Sequence, residues 1–227
     1  MAARNPGKTP TAQILPFPSP RSPEAGRRIV ALSPEFQGYC LLYAHHALST
    51  DKLYAIRILC WARQADGRDV AMVPWLNGVA RCTELNDAQS GLAQGYFDPL
   101  NERPFNAIPA HQRITLDSLA EQPPQPGSGV IQEIPDLIGS HAALMADNSE
   151  LRLEPVVSWQ LLADGSLQAM LADSAKITQQ PVLPGDPCLY AASEACGLRY
   201  YFQYHIANQI KSGGALSARA LSTLIKH

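Results

Sequence analysis

Two windows 98 positions apart constrain this chain more than any other feature. Residues 61–73 (WARQADGRDVAMV) align without gaps on residues 159–171 (WQLLADGSLQAML), and six of the thirteen positions are identical. Each window carries Asp-Gly between strand-forming stretches. Asp-Gly supplies positive φ at both centres of a type I′ turn, so the pattern predicts β-hairpins at about 53–76 and 151–173. Beyond the windows the similarity fades. Duplication of a half-domain is one explanation, and the chance likeness of two alanine-rich hairpins is the other.

Around the hairpins the chain divides by composition. Residues 1–28 hold Pro6, Pro10, Pro16, Pro18, Pro20 and Pro23. Proline removes backbone donors and pushes its predecessor towards extended geometry, so a disordered, partly polyproline-II tail is expected there. Within it Ile14, Leu15 and Phe17 are apolar enough to dock on a groove. Residues 121–129 (EQPPQPGSG) read as a linker or long loop, which separates a β-rich first half at 29–120 from an α+β second half at 130–227.

In the first half, Gly38–Leu48 suits a strand or a short helix, and Asp87–Gln94 a short helix ending at Gly95. In the second, Val130–Ile134 reads as a strand and Asp136–Ala146 as a helix opened by Pro135 and Asp136. Apolar residues at 198, 201, 202, 206 and 210 have helical spacing, so Leu198–Ile210 is expected to be an amphipathic helix stopped by Gly213-Gly214. A final helix is expected over about Leu216–Ile225. The expected class is α+β: antiparallel hairpins, a few packed helices and a helical C-terminus.

Apolar residues make up 46% of the chain and charged residues 17%, a balance that supports a packed core and excludes disorder throughout. A thinly charged surface favours self-association or a protein partner. The net charge of −2 hides an uneven distribution. Each end is about +4 and the middle about −10, which could steer an end towards an anionic partner or onto the body of the chain itself. Five cysteines without a CxxC pair, no basic start joined to an apolar run, and no long apolar window point to a cytoplasmic protein with free thiols and no membrane span.

No nucleotide-binding, zinc-protease, nucleophile-elbow or calcium-loop motif is present. Cys40 with His45 and His46 is the densest group of soft ligands, but adjacent histidines on a strand face opposite ways, so no metal and no cofactor is expected. Cys188 or Cys196 with His205 or His111 could form a nucleophile–base pair, which makes a small Cys/His-dependent hydrolase or transferase an alternative reading. Asp66/Asp69 and Asp98/Glu102 could serve acid–base chemistry, though turn roles explain them more simply. Tyr200 and Tyr204, four apart on the expected helix, form a candidate interface patch. Lys211, Arg219 and Lys226 give the C-terminal helices a basic face that suits phosphate contact, so nucleic-acid binding is a second alternative. The leading expectation is a non-enzymatic binding or regulatory module acting through protein–protein contact.

Overall fold

The computed structural model describes residues 25–45, 52–85, 91–121, 129–145, 150–177, 180–212 and 216–217. Over these residues the fold is predominantly antiparallel β, with 52% in strands, 17% in helices and two α-helices. The expected α+β class with several packed helices is therefore corrected to a β-rich fold.

The strands repeat one pairing scheme twice. The first unit contains β1 (Ile29–Pro34), β2 (Cys40–His45), β3 (Lys52–Arg57), β4 (Cys60–Gln64), β5 (Asp69–Trp75), β6 (Gly78–Arg81), β7 (Gly91–Asp98), β8 (Arg103–Phe105) and α1 (Ala110–Ala120). Here β4 lies between β1 and β5, β6 extends that sheet, and β2 lies between β3 and β7 in a second sheet. The second unit contains β9 (Val130–Pro135), β10 (Ser140–Met145), β11 (Leu151–Leu162), β12 (Leu167–Ala172), β13 (Leu189–Ala191), β14 (Leu198–Gln203) and α2 (Tyr204–Ser212). There β11 lies between β9 and β12, β13 extends the row, and β10 pairs β11 and β14. The long β11 does the work of β3 and β4 in one strand. A final bridge, β15 (Leu216–Ser217), pairs with β3.

The correspondence reaches individual atoms. Trp61 Nε1 donates to Glu35 Oε2 at 2.6 Å, and Trp159 Nε1 donates to Asp136 Oδ2 at 2.8 Å. Tyr96 meets Trp61 edge-to-face at 5.2 Å, and Tyr201 meets Trp159 at 4.9 Å. The phenols of Tyr96 and Tyr201 bond the backbone of Ala71 and Ala169, again 98 positions apart, and burial raises the pKa of both. Each unit thus buries the same arrangement of acid, indole and phenol, which satisfies every polar atom it takes out of water.

Both Asp-Gly pairs lie in hairpin turns, β4–β5 and β11–β12, with Gly67 at φ +81° and Gly165 at φ +84°. The turn is not type I′, because neither aspartate has positive φ. Gly67 N–H donates to Gln64 O at 2.9 Å and Gln64 N–H to Arg68 O at 2.8 Å, which is a three-residue loop with a glycine bulge. Gly165 and Leu162 repeat both bonds at 2.8 and 2.9 Å.

What differs between the units is one sheet face. In the first, Leu32, Cys60, Ala62, Val70 and Met72 are buried in a core shared with Ile134, Trp159, Leu161 and Leu171 of the second. Strands β4 and β5 are thereby covered on both sides, since Ala31, Trp61, Ala71 and Val73 fill the first unit's own core with Leu116 of α1. By register the matching face of the second unit is Glu133, Ser158, Gln160, Gln168 and Met170. Apart from Met170 it is polar and bonded within itself: Ser158 Oγ and Gln160 Nε2 donate to Glu133, and Gln168 Nε2 donates to Gln160. Gly185 N–H, in the long β12–β13 connection, also donates to Glu133.

Several expected elements are replaced. Cys40–His45 is a strand, while His46–Leu48 lies outside the described residues. Of the expected helix Asp87–Gln94, residues 91–94 begin β7 and the rest is outside the described residues. Asp136 Oδ1 accepts the N–H groups of Ile138, Gly139 and Ser140 as a helix cap would, but Gly139 at φ +73° turns the chain into β10. Leu198–Gln203 is strand β14, and only Tyr204–Ser212 is helical. A bulge opposite Ala143/Leu144 puts Leu198 and Tyr201 on one face despite their three-residue spacing, which imitates a helix. Leu216–Ser217 forms a strand, and the remainder of the expected terminal helix lies outside the described residues. Residues 25–27 form a 3-10 turn tied down by Asp66 N–H donating to Gly26 O and by an Arg27–Glu84 ion pair at 2.8 Å. The rest of the expected tail, 1–24, and residues 122–128 of the expected linker lie outside the described residues.

A candidate protein-docking groove

Where the two units meet, α2 lies beside β3 and leaves an apolar groove of about 230 Å3. Its walls are Ile56 of β3, Pro74 and Trp75 of β5, Tyr201 and Phe202 of β14, and Ile206 and Ile210 of α2.

The helix is held there by the edge of β3. Gln209 clamps Ala55, its Nε2 donating to Ala55 O and its Oε1 accepting Ala55 N–H, both at 2.8 Å. His205 Nε2 accepts Arg57 N–H at 3.2 Å. These side chains occupy backbone groups that an edge strand would otherwise present to another chain. The bond to Arg57 requires an unprotonated ring nitrogen, and burial with Arg57's charge pushes the His205 pKa down to about 4.

Two features of the groove do not belong to ordinary packing. Leu76 stands at the rim in the β5–β6 turn with φ +53°, a left-handed conformation costly for leucine, and its side chain is 70% exposed. Its carbonyl accepts Tyr201 N–H at 2.6 Å, which fixes the turn against β14. Gln203 also lines the groove and is only 6% exposed, yet its Nε2 has no hydrogen-bond partner among the described residues. The hydroxyl of Ser140, its cross-strand neighbour, is likewise buried without a partner. A buried donor left unpaired costs about 1–3 kcal/mol.

The residues singled out from sequence fall elsewhere. Tyr200 is on β14 and Tyr204 opens α2, so they do not share a helix face. Neither lines the groove; Tyr204 packs edge-to-face on His141 at 5.1 Å and Phe202 at 4.9 Å. Lys211 follows Ile210 and is exposed in the last turn of α2. Arg219 and Lys226 lie outside the described residues. Trp75, Leu76, Gln203, Ile206 and Ile210 were not anticipated as a site. One signal was available: Trp75-Leu76-Asn77-Gly78 puts leucine in a two-residue turn where Asn or Gly is normal.

Of the cysteines weighed as nucleophiles, Cys188 is buried and Cys196 is exposed, and both are free thiols. No three His, Cys, Asp or Glu side chains converge as a metal site among the described residues. Burial pushes the Cys40 thiol up to about 11, which opposes a thiolate. His205 is engaged by Arg57, and His111 lies 3.5 Å from Gln37. Asp66 accepts Arg68 N–H at 3.1 Å within its turn, and Asp69 pairs with Arg63. Asp98 accepts the Asn101 side chain and the N–H groups of Leu100 and Asn101, bonds that hold its pKa down. A second hollow, at Arg152, Glu154, Asp173 and Lys176, has its charges already paired as Arg152–Glu154 and Lys176–Asp173. None of the described helices is long and apolar enough to cross a membrane. Comparison of the chain with family models, curated proteins and solved structures returns no match.

Proposed function

We propose that the protein is a non-enzymatic binding module that takes an extended, proline-containing apolar segment of a protein into the groove beneath α2. The observation that carries this reading is the groove's apolar wall of Trp75, Tyr201, Phe202 and aliphatic side chains, with the exposed Leu76 held at its rim at positive φ. A ligand that fills the site brings apolar side chains with few backbone donors to bury. Proline-rich segments fit this demand, because each proline contributes a carbonyl but no N–H, and their preformed extended helix docks on aromatic-lined surfaces at low entropic cost. The exposed Leu76 at the rim would close over such a segment.

The test is an array of decapeptides carrying two or three apolar residues around prolines, beside the same array with alanine for proline. Selective retention on the proline array, lost in Leu76→Asp and weakened at least about tenfold in Ile210→Ser, supports the reading. Retention unchanged by both substitutions would place binding elsewhere.

A further inference from the structure

We infer that α2 is an acid-released latch: His205 and Gln209 hold the helix on the edge of β3, and uptake of a proton by His205 frees it and takes away one wall of the groove. What the latch regulates is the groove, so its functional meaning rests on that reading, whereas its opening can be read without any ligand.

Register gives the first argument. Ala55 N–H and C=O both go to Gln209, so they point away from β2, and the backbone groups of Leu53 and Arg57, two residues to either side, do the same. Each of the three has a partner from the C-terminal stretch: Arg57 has His205, Ala55 has Gln209, and Leu53 pairs with Leu216 of β15. The match is one of length. Four residues of helix rise about 6.0 Å and two residues of strand about 6.6 Å, so side chains four apart on α2 meet outward groups at alternate positions of β3.

Attachment gives the second. None of the nine residues of α2 is buried, whereas α1 buries Gln112 and Leu116 against the first unit's sheet. Ile206 packs on the first unit's core, but Ile210 is 59% exposed. Apolar burial therefore does little to keep the helix in place, and the bonds to Ala55 and Arg57 decide whether it stays.

Titration gives the third. His205 Nε2 accepts Arg57 N–H only while that nitrogen carries no proton. Once protonated, it turns an N–H towards an N–H and sets a cation beside the Arg57 guanidinium. Among the described residues Arg57 is the charged group that acts on the ring. The other cation of β3, Lys52, is at the far end of the strand, Asn208 and Gln209 on α2 are neutral, and the Cys40 thiol across from Arg57 is pushed up to about 11. Burial, and then Arg57's charge, lower the docked ring's pKa to about 4, against an ordinary 6.5 for a released one. Docking is thus at full strength above about pH 6.5 and weakens as pH falls, by up to about 300-fold below pH 4.

The experiment measures amide–solvent exchange by NMR in the 15N-labelled full chain at pH 7 and at about pH 4.5, as protection factors, so that the pH dependence of intrinsic exchange drops out. The expected result is that Ala55 and Arg57 lose protection together, at least about tenfold, while the amides of β11 keep theirs. His205→Gln supplies an acceptor that does not titrate, so in that variant both amides should be equally protected at the two pH values. Loss at Arg57 with Ala55 unchanged would reduce the event to one bond and overturn the latch, as would protection unchanged at both. Loss of the same size in His205→Gln would assign the change to another group and overturn it too. The proline decapeptide array, run at the same two pH values, reads the groove separately, and its retention should fall at least about tenfold in acid. Retention unchanged although the amides are released would overturn α2 as the gate of the groove. Released amides with no retention at either pH would uphold the latch and remove the groove reading.

Discussion

Alanine at Gly67 and at Gly165 should cost different amounts, although the two turns have the same bonds and nearly the same φ. A non-glycine residue in the left-handed region pays about 1–2 kcal/mol. At Gly67 nothing lies within 4 Å of the added Cβ, so that backbone term is the whole cost. At Gly165 the same Cβ would sit 2.5 Å from Arg28 Cγ, 2.8 Å from Ile29 N and 3.2 Å from Ile29 O. The arginine can swing away, but the Ile29 backbone is held by its pairing with Gln64 and by the burial of its side chain. Moving packed backbone adds about 1–3 kcal/mol. Gly67→Ala should therefore destabilise by about 1–2 kcal/mol and Gly165→Ala by about 2–5 kcal/mol. Urea denaturation followed by the fluorescence of buried Trp61 and Trp159 measures both, and at roughly 2–4 °C per kcal/mol the gap is visible in thermal midpoints too. Equal costs would refute the close approach of β1 to the second unit's turn. The comparison is internally controlled, since each turn serves as the other's reference.

Leu76→Gly should leave stability unchanged or raise it by up to about 1 kcal/mol by relieving the positive φ, while weakening peptide binding on the array; a clear loss of stability would mean the leucine is there for packing. Glu35→Gln should destabilise by about 2 kcal/mol, because one of the two donors facing its buried carboxylate, Trp61 Nε1–H or Gln37 N–H at 2.5 Å, would meet an NH2 instead; denaturation midpoints check it. The pKa of His205 is lowered to about 4 against an ordinary value near 6.5, so the unfolded chain binds more protons between those pH values and stability falls as pH drops from about 6.5 towards 4. His205→Gln should remove the upper part of that fall, and a ring titration by NMR with a midpoint near 6.5 would contradict the burial of the imidazole against β3.

The hairpins were readable because Asp-Gly turns and their flanking Trp and Ala-Met residues depend on local geometry, and local geometry is written in adjacent residues. The repeat of the whole pairing scheme was hidden, because a β pairing constrains only polarity and size at each position. Glu35 and Asp136 do the same work from different loops, and Leu32 and Glu133 occupy equivalent positions with opposite chemistry. Two readings failed through imitation. Asp136 capped three N–H groups as at a helix start, and the β14 bulge turned a strand's alternation into a helical interval. The groove escaped because it joins residues from β3, β5, β14 and α2, which come together only when the units pack, and because the unpaired state of Gln203 is a property of its surroundings. Tyr200 and Tyr204 drew attention by type, whereas Leu76 mattered through a backbone angle.

The polarity exchange between the two equivalent sheet faces has a consequence for assembly. The first unit's face is a sticky end, and it is consumed inside the chain by the second unit. Had the second unit kept leucine, cysteine, alanine and valine at Glu133, Ser158, Gln160 and Gln168, as it keeps methionine at Met170, it would offer the same sticky end to a third unit, and stacking could continue from molecule to molecule without closing. The Glu133 network, sealed by Gly185 from the connection above it, ends the series at two. A tandem array of this kind needs a terminator as much as it needs a joint, and here the terminator is four side chains wide.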